Sequence, residues 1–267
     1  MKIIVCVKQV PDTSGVVKVN DNGTLDRASM QTIINPDDKN ALEAALTLKD
    51  ANPEIEVCVV TMGPPQAEGM LREVLAMGAD QAYLVTARQF GGSDSYATSQ
   101  ILSAAIDTIG VGAEDIIMCG RQAIDGDTAQ VGPQIGEKLD LPQVTYVEDI
   151  KFENGKLICK RQLEDGYMTI EVQTPCVLTA IKELNVPRYM SVGGIFDAFT
   201  KEINVLGFDE LKEHRLIDET TIGLKGSPTN IYKSFTPEKK GKGMMLEGAD
   251  KATVADLFAK LEAKHIL

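Results

Sequence analysis

The stretch Asp115-Ile116-Ile117-Met118-Cys119-Gly120-Arg121-Gln122-Ala123-Ile124-Asp125-Gly126-Asp127-Thr128-Ala129-Gln130-Val131-Gly132-Pro133 reads as a strand, a loop and the start of a helix. Residues 115–119 have the apolar composition of a buried strand, and a helix is expected from Thr128 to about Leu139. A strand that empties through such a loop into a helix leaves the amides of the first turn unpaired, and these can face a phosphate. Gly126, Ala129 and Gly132 would let a ligand approach the backbone closely. Thr128 and Gln130 can donate side-chain hydrogen bonds, and Arg121 can offset phosphate charge. Asp125 and Asp127 suit helix caps or acceptors for hydroxyl and amide groups. No Gly-Lys-Ser/Thr closes the loop, and no G-x-G-x-x-G occurs in the chain. Spacing alone leaves two readings open, a nucleotide loop and a capped helix start without a ligand.

The same alternation extends outward. Residues 3–8 read as a first strand, followed by a polar loop with turn chemistry at Pro11-Asp12 and Asp21-Asn22-Gly23. A helix from near Pro36 places Ala41, Leu42, Ala45, Leu46 and Leu48 on one side, with Asn35 or Asp37 as its cap. Residues 55–61 form the next strand, Met62-Gly63-Pro64-Pro65 a turn, and residues 68–77 a helix stopped by Gly78. A strand at 81–85 and a helix from Ser95 to roughly Ile109, opened by Gly91-Gly92-Ser93-Asp94, complete the series. Strands separated by helices predict an α/β fold, a mostly parallel Rossmann-like sheet with helices on both faces, of the adenine-nucleotide-binding type. In such sheets ligands sit beyond the carboxyl ends of the strands, which points to residues 9–12, 62–65 and 120–130. Met62 to Pro65 can wall an adenine ring or be a plain turn. Asn35-Pro36-Asp37-Asp38 can read a base edge or ribose, or only cap a helix.

From Gln143 the pattern changes to strands at 144–150, 156–162 and 168–173, with turns at Asn154-Gly155 and Asp165-Gly166. These are read as an antiparallel hairpin extension of the same sheet, with residues 175–180 a further buried strand. Residues 1–185 form an α/β nucleotide-binding domain in this reading. Residues 186–267 then form a C-terminal arm with a docking loop and a terminal helix at 250–265. The arm carries too many apolar groups for a solvated tail, among them Ile203, Leu211, Ile217, Ile222, Ile231 and Phe235, so it is expected to lie across a partner.

The totals exclude several classes. The 267 residues carry a formal charge of −12, which argues against nucleic acid or an anionic membrane as the main partner. No apolar run is long enough for membrane insertion and the N-terminus reads as a strand rather than a signal, so a cytoplasmic setting is expected. The five cysteines form no C-x-x-C pair and read as small buried core residues. The two histidines, His214 and His265, lie in polar stretches without a Cys or Asp at ligand spacing, so no metal site is expected. No Ser-His-Asp or Cys-His set is present, so chemistry would belong to a bound cofactor.

Val5-Cys6-Val7-Lys8-Gln9-Val10-Pro11-Asp12 resembles the opening strand of electron-transfer flavoprotein β subunits. Asn35-Pro36-Asp37-Asp38, Met62-Gly63-Pro64, Ala76-Met77-Gly78-Ala79-Asp80, the loop 120–132 and Asn185-Val186-Pro187-Arg188-Tyr189 recur there in the same order. Cys159 and Met168 occupy positions usually filled by other residue types. The resemblance implies a heterodimer with a larger α subunit that carries an electron-transferring FAD. It implies cofactor contacts at Cys6, Asn35, Pro36, Asp37, Asp38, Met62, Arg121 and Asp125, and along Gly126, Asp127, Thr128, Ala129, Gln130, Val131, Gly132, Pro133 and Gln134. The wording of 126–133 resembles the electron-bifurcating type found in anaerobes. That type implies a FAD here, NADH as donor, ferredoxin or flavodoxin as one acceptor, and an acyl-CoA dehydrogenase-type flavoenzyme as the other. The housekeeping type would hold AMP instead. The segment from Arg188 and Tyr189 through Val192, Ile195 and Phe196 resembles the family's docking loop for the dehydrogenase. Two other classes are weighed against this, an adenine-nucleotide-binding regulatory protein of the universal-stress type and a small-molecule ligase. The first has no use for the arm, and the second needs a pyrophosphate loop near the N-terminus that Gly91-Gly92-Ser93-Asp94-Ser95 only faintly resembles.

Overall fold

Successive side chains of the central strands point to opposite faces of one sheet, and both faces are apolar, so each needs a helical layer. The computed structural model describes residues 1–12, 31–153, 156–230, 232, 241 and 243–267. The turn signals at Asp21-Asn22-Gly23 and Asn154-Gly155, and Ile231 and Phe235 of the expected arm, lie outside the described residues. Contacts divide the chain into two units, Met1–Tyr232 and Lys233–Leu267. Residues 186–230 thus group with the sheet.

Strand β1 (Lys2–Cys6) pairs in parallel with β4 (Glu56–Met62) on one side and β6 (Ile116–Gly120) on the other. Beyond β4 lies β5 (Gln81–Val85), and beyond β6 lies β10 (Cys176–Ala180), both parallel. β7 (Gln143–Glu153) starts parallel to β10, then runs antiparallel with β8 (Lys156–Leu163), which pairs with β9 (Gly166–Val172). The expected antiparallel extension is present, and β7 is the strand that joins it to the parallel part. Helices α1 (Pro36–Ala51) and α2 (Glu68–Met77) supply the apolar groups of one face, packing on Ile3, Val5, Val57, Val59 and Met118. Helices α3 (Ser95–Ile109) and α4 (Val131–Leu139) cover the other, packing on Ile4, Val60, Ile117 and Cys119. The chain leaves β1 toward β4 and later returns to β6, so the direction of winding switches between β1 and β6. All five cysteines are free and buried.

Three expectations change. The polar loop after β1 includes a short ribbon, β2 (Gln9–Pro11) antiparallel to β3 (Thr32–Ile34). α4 begins at Val131 rather than Thr128, because Asp127 and Ala129 have φ of 50° and 52°, which a right-handed helix cannot contain. The region after 185 is not a loose arm up to residue 230. It forms α5 (Val192–Ala198), β11 (Ile203–Leu206) and α6 (Phe208–Leu211), and β11 adds a parallel edge to β5. Leu211, Ile217 and Ile222, expected to face a partner, are buried in the chain's own core.

In the second unit, α7 (Lys251–Ala263) is capped by Asp250, whose carboxylate accepts from the Thr253 amide at 2.8 Å. Its Val254, Leu257 and Phe258 are exposed. Among the described residues no helix is long and apolar enough to cross a membrane.

Candidate functional site

The carboxyl ends of β1 and β6 meet at Asp38. Its Oδ2 accepts the Lys8 amide at 2.8 Å and its Oδ1 accepts the Gly120 amide at 3.0 Å, so one carboxylate ties the two strands at the switch point. Burial pushes this carboxyl up from 3.8 to about 7, against the lowering effect of Asn35 and the two amides. Gly120 is needed for the approach: a Cβ there would stand 2.6 Å from the Asp38 nitrogen and 2.7 Å from the Asp37 carbonyl carbon.

Asn35 organises the loop after β6. It precedes α1 without capping it, since its side chain reaches across the crevice. Its Nδ2 donates to the Gln122 carbonyl at 2.8 Å, and its Oδ1 accepts the Ile124 amide at 3.0 Å. Lys8 Nζ closes the near side by donating to both oxygens of Asp125, at 2.7 and 2.9 Å. The Asp125 side chain is therefore largely covered although its backbone is open. Gln122 Nε2 donates to Asp127 Oδ1 at 2.8 Å, and the Ser95 hydroxyl donates to Gln130 Oε1 at 2.6 Å. Apart from the local Gln122–Asp127 bond, the polar contacts that hold the loop span long stretches of sequence.

What these contacts leave free defines the site. The Gly126 and Asp127 amides both bond the Ala123 carbonyl. Among the described residues no acceptor lies in hydrogen-bonding geometry to the amides of residues 128–132. Left-handed φ at Asp127 and Ala129 turns the backbone of this row of N–H groups just ahead of α4. Two non-glycine residues in that region store backbone strain, which the surrounding contacts hold in place. Buried Gln134 Oε1 has no partner, and Arg121 Nε lies 3.3 Å from Asp37 Oδ2 without a hydrogen bond being made by either atom. Burial raises the Asp37 carboxyl despite the nearby guanidinium. The free amides are donors for an anionic group, and the Asp125 and Asp38 carboxylates are already occupied by Lys8 and backbone. The donor set fits a phosphate.

The predicted residues thus divide by what they touch. Asn35 and Asp38 spend their side chains on the protein itself, and Pro36 opens α1. Cys6 and Cys119 meet at the ends of adjacent strands, where the hydrogen bond with Cys6 and burial raise the Cys119 thiol well above its usual range. Met62 is half-buried at the end of β4, on the α3 side. Gly132 serves helix packing rather than ligand access, since a Cβ would lie 2.6 Å from Thr179 Cγ2. Gly126 has open space around it. Val131 and Pro133 lie in the first turn of α4. Of the expected docking residues, Tyr189, Val192, Ile195 and Phe196 are exposed, whereas Arg188 is bound to Glu43 and Asp50 of α1.

Lys8, Ser95 and Thr179 were not singled out as site residues. Lys8 ends a strand at the expected crevice, which is a signal; the other two gain their places only through the crossing of distant elements. His214 Nε2 lies 2.9 Å from Asp107 Oδ2, a partner far away in sequence. Among the described residues no cluster of His, Cys, Asp and Glu could hold a metal.

The family model described as "Electron transfer flavoprotein domain" matches residues 22–211. Acryloyl-CoA reductase electron transfer subunit gamma of Anaerotignum propionicum is 61% identical, with 100% of each chain covered. Caffeyl-CoA reductase-Etf complex subunit CarD of Acetobacterium woodii is 54% identical, and the electron transfer flavoprotein subunit beta of Clostridium acetobutylicum is 52% identical, each with the same full coverage.

Proposed function

The chain belongs to the electron transfer flavoprotein family as a β subunit, and from that premise we propose that it holds FAD in the crevice between β1 and β6 within an electron-bifurcating complex. In this reading the complex takes electron pairs from NADH. One electron passes to ferredoxin or flavodoxin, and the other passes through the α subunit to an acyl-CoA dehydrogenase-type flavoenzyme. The observation that carries the reading is the row of unengaged amides at residues 128–132, at the head of α4 and close in sequence to the open space at Gly126. The full-length similarity to subunits named for acryloyl-CoA and caffeyl-CoA reductases supports an acyl-CoA partner.

When bound, FAD supplies two-electron acceptance and one-electron release, which no side chain of the crevice offers. The protein supplies placement. The amides of residues 128–132 would bind the phosphates, Arg121 would offset their charge, and Met62 would present an apolar surface. Asn35, Lys8 and Asp38 hold the loop and the strand ends in register around them. A second reading keeps the same loop with AMP in place of FAD, because a row of amides grips one phosphate as readily as two.

Co-purification with the α subunit, followed by flavin absorbance and nucleotide chromatography, separates the two. Two FAD per heterodimer is the expected result. One FAD with one AMP would replace the first reading by the second, and the absence of any adenylate in the β subunit would end both.

A further inference from the structure

The segment that leads into the exposed apolar stretch is fastened to α1 by the Arg188 guanidinium and, one turn earlier, by an asparagine pair. The Arg188 amide and Nε donate to Glu43 Oε2 at 2.9 and 2.8 Å. Its Nη2 donates to Glu43 Oε1 at 3.0 Å and to Asp50 Oδ2 at 2.7 Å. The Glu43 side chain is only 9% exposed, and the planar fork of arginine matches its carboxylate as an ammonium would not. One turn earlier along the helix, Asn40 and Asn185 exchange hydrogen bonds, Nδ2 of each donating to the carbonyl of the other at 2.8 and 2.9 Å. The far end of the loop is held separately, by Arg72 donating to the Ala198 and Lys201 carbonyls at 2.8 and 2.6 Å. Between the two anchors Tyr189, Val192 and Phe196 are 93%, 74% and 73% exposed.

From this arrangement we infer that Arg188 is a positioning residue of the docking loop and not a contact for the partner. It fastens the entry to residues 189–199 on α1, the helix whose first turn holds Asp37 and Asp38, while α5 within that stretch packs on α2. The inference rests on the docking role that the family resemblance implies for this loop and departs from it at Arg188, whose Nε and Nη2 are already taken by Glu43 and Asp50. A residue that acts through Glu43 gives a distinctive result when both are changed: the second substitution adds nothing to the first.

The test is amide hydrogen exchange on the αβ heterodimer carrying Arg188→Ala, Glu43→Gln or both. Amides of residues 189–199 should exchange about tenfold faster in either single variant, the ratio expected for losing a charge-assisted hydrogen-bond set, and no faster in the double variant. Adenylate content, read on the same samples, should equal that of the wild type. Wild-type exchange in Arg188→Ala, or effects that multiply in the double variant, would overturn the inference. Should Arg188→Ala fail to fold, Arg188→Lys carries the test, because an ammonium cannot reproduce the bidentate grip; its loop should exchange several-fold faster, and wild-type exchange would refute the role. Docking itself is read with acryloyl-CoA reductase from Anaerotignum propionicum, reconstituted with this chain in place of its own gamma subunit. Arg188→Ala should raise the half-saturating concentration and leave the saturated rate unchanged; the reverse split overturns the inference. If the wild-type chain supports no turnover there, the docking reading fails, and the exchange result decides Arg188 separately.

Discussion

Replacing Asp38 with asparagine should change how stability depends on pH, in a direction the structure fixes. The Asp38 carboxyl is buried between the ends of β1 and β6 and is raised from 3.8 to about 7 by that burial. Between these values the folded protein keeps a proton that the unfolded chain has lost. The stabilising contribution is therefore complete below about 3.8 and is lost as the pH rises through about 7. The span of roughly 3 pH units, at about 1.36 kcal/mol each, sets an upper figure of about 4 kcal/mol. An asparagine in this place cannot ionise and matches the acid in shape; its NH2 cannot accept one of the two amides that Asp38 takes, a cost that is the same at every pH and leaves the slope to the carboxyl. The difference in unfolding free energy, wild type minus Asp38→Asn, should thus fall by up to about 4 kcal/mol between pH 4 and pH 8. Urea unfolding at a series of pH values measures this. The chain has no tryptophan, so far-UV circular dichroism is the suitable signal. A difference that stays constant, or one that grows in favour of the wild type toward pH 8, would refute the burial argument and make Asp38 an ordinary ionised bridge.

Asn35→Ala removes both ties to the loop and strands the Ile124 amide; adenylate retention in the heterodimer should fall at least about tenfold, and unchanged retention would show the loop holds itself. Gly132→Ala forces a methyl against Thr179 and should cost about 1–3 kcal/mol, visible as a lower midpoint in urea unfolding. A Cβ at Gly126 meets no neighbouring atom, so in Gly126→Glu the unfolding midpoint should hold while FAD content drops relative to AMP; loss of both together would argue against a role in choosing the nucleotide. Val192→Ala should weaken transfer to the acyl-CoA partner with full cofactor content, since Val192 is exposed on α5, and equal loss of both would remove its docking role.

The chain's own order of residues determined the succession of strands and helices, and it pointed to the carboxyl ends of the strands, with the loop 120–132, as the candidate site. All of these follow from local periodicity and from the rule that parallel sheets bind ligands at their carboxyl ends. The start of α4 escaped such reading because Asp127 and Ala129 adopt left-handed φ without being glycine, a conformation imposed by the contacts around them. The burial of Leu211, Ile217 and Ile222 escaped it as well, since apolar residues look the same whether they face a partner or their own core. Tertiary structure alone decided that Asn35 pins a loop nearly ninety residues away, that Asp38 joins two strands, that Gly132 yields to Thr179, and that Arg188 belongs to Glu43. Each depends on a hydrogen bond or a contact between segments that become neighbours only when the sheet assembles, and neither composition nor spacing encodes which polar group a side chain will meet there.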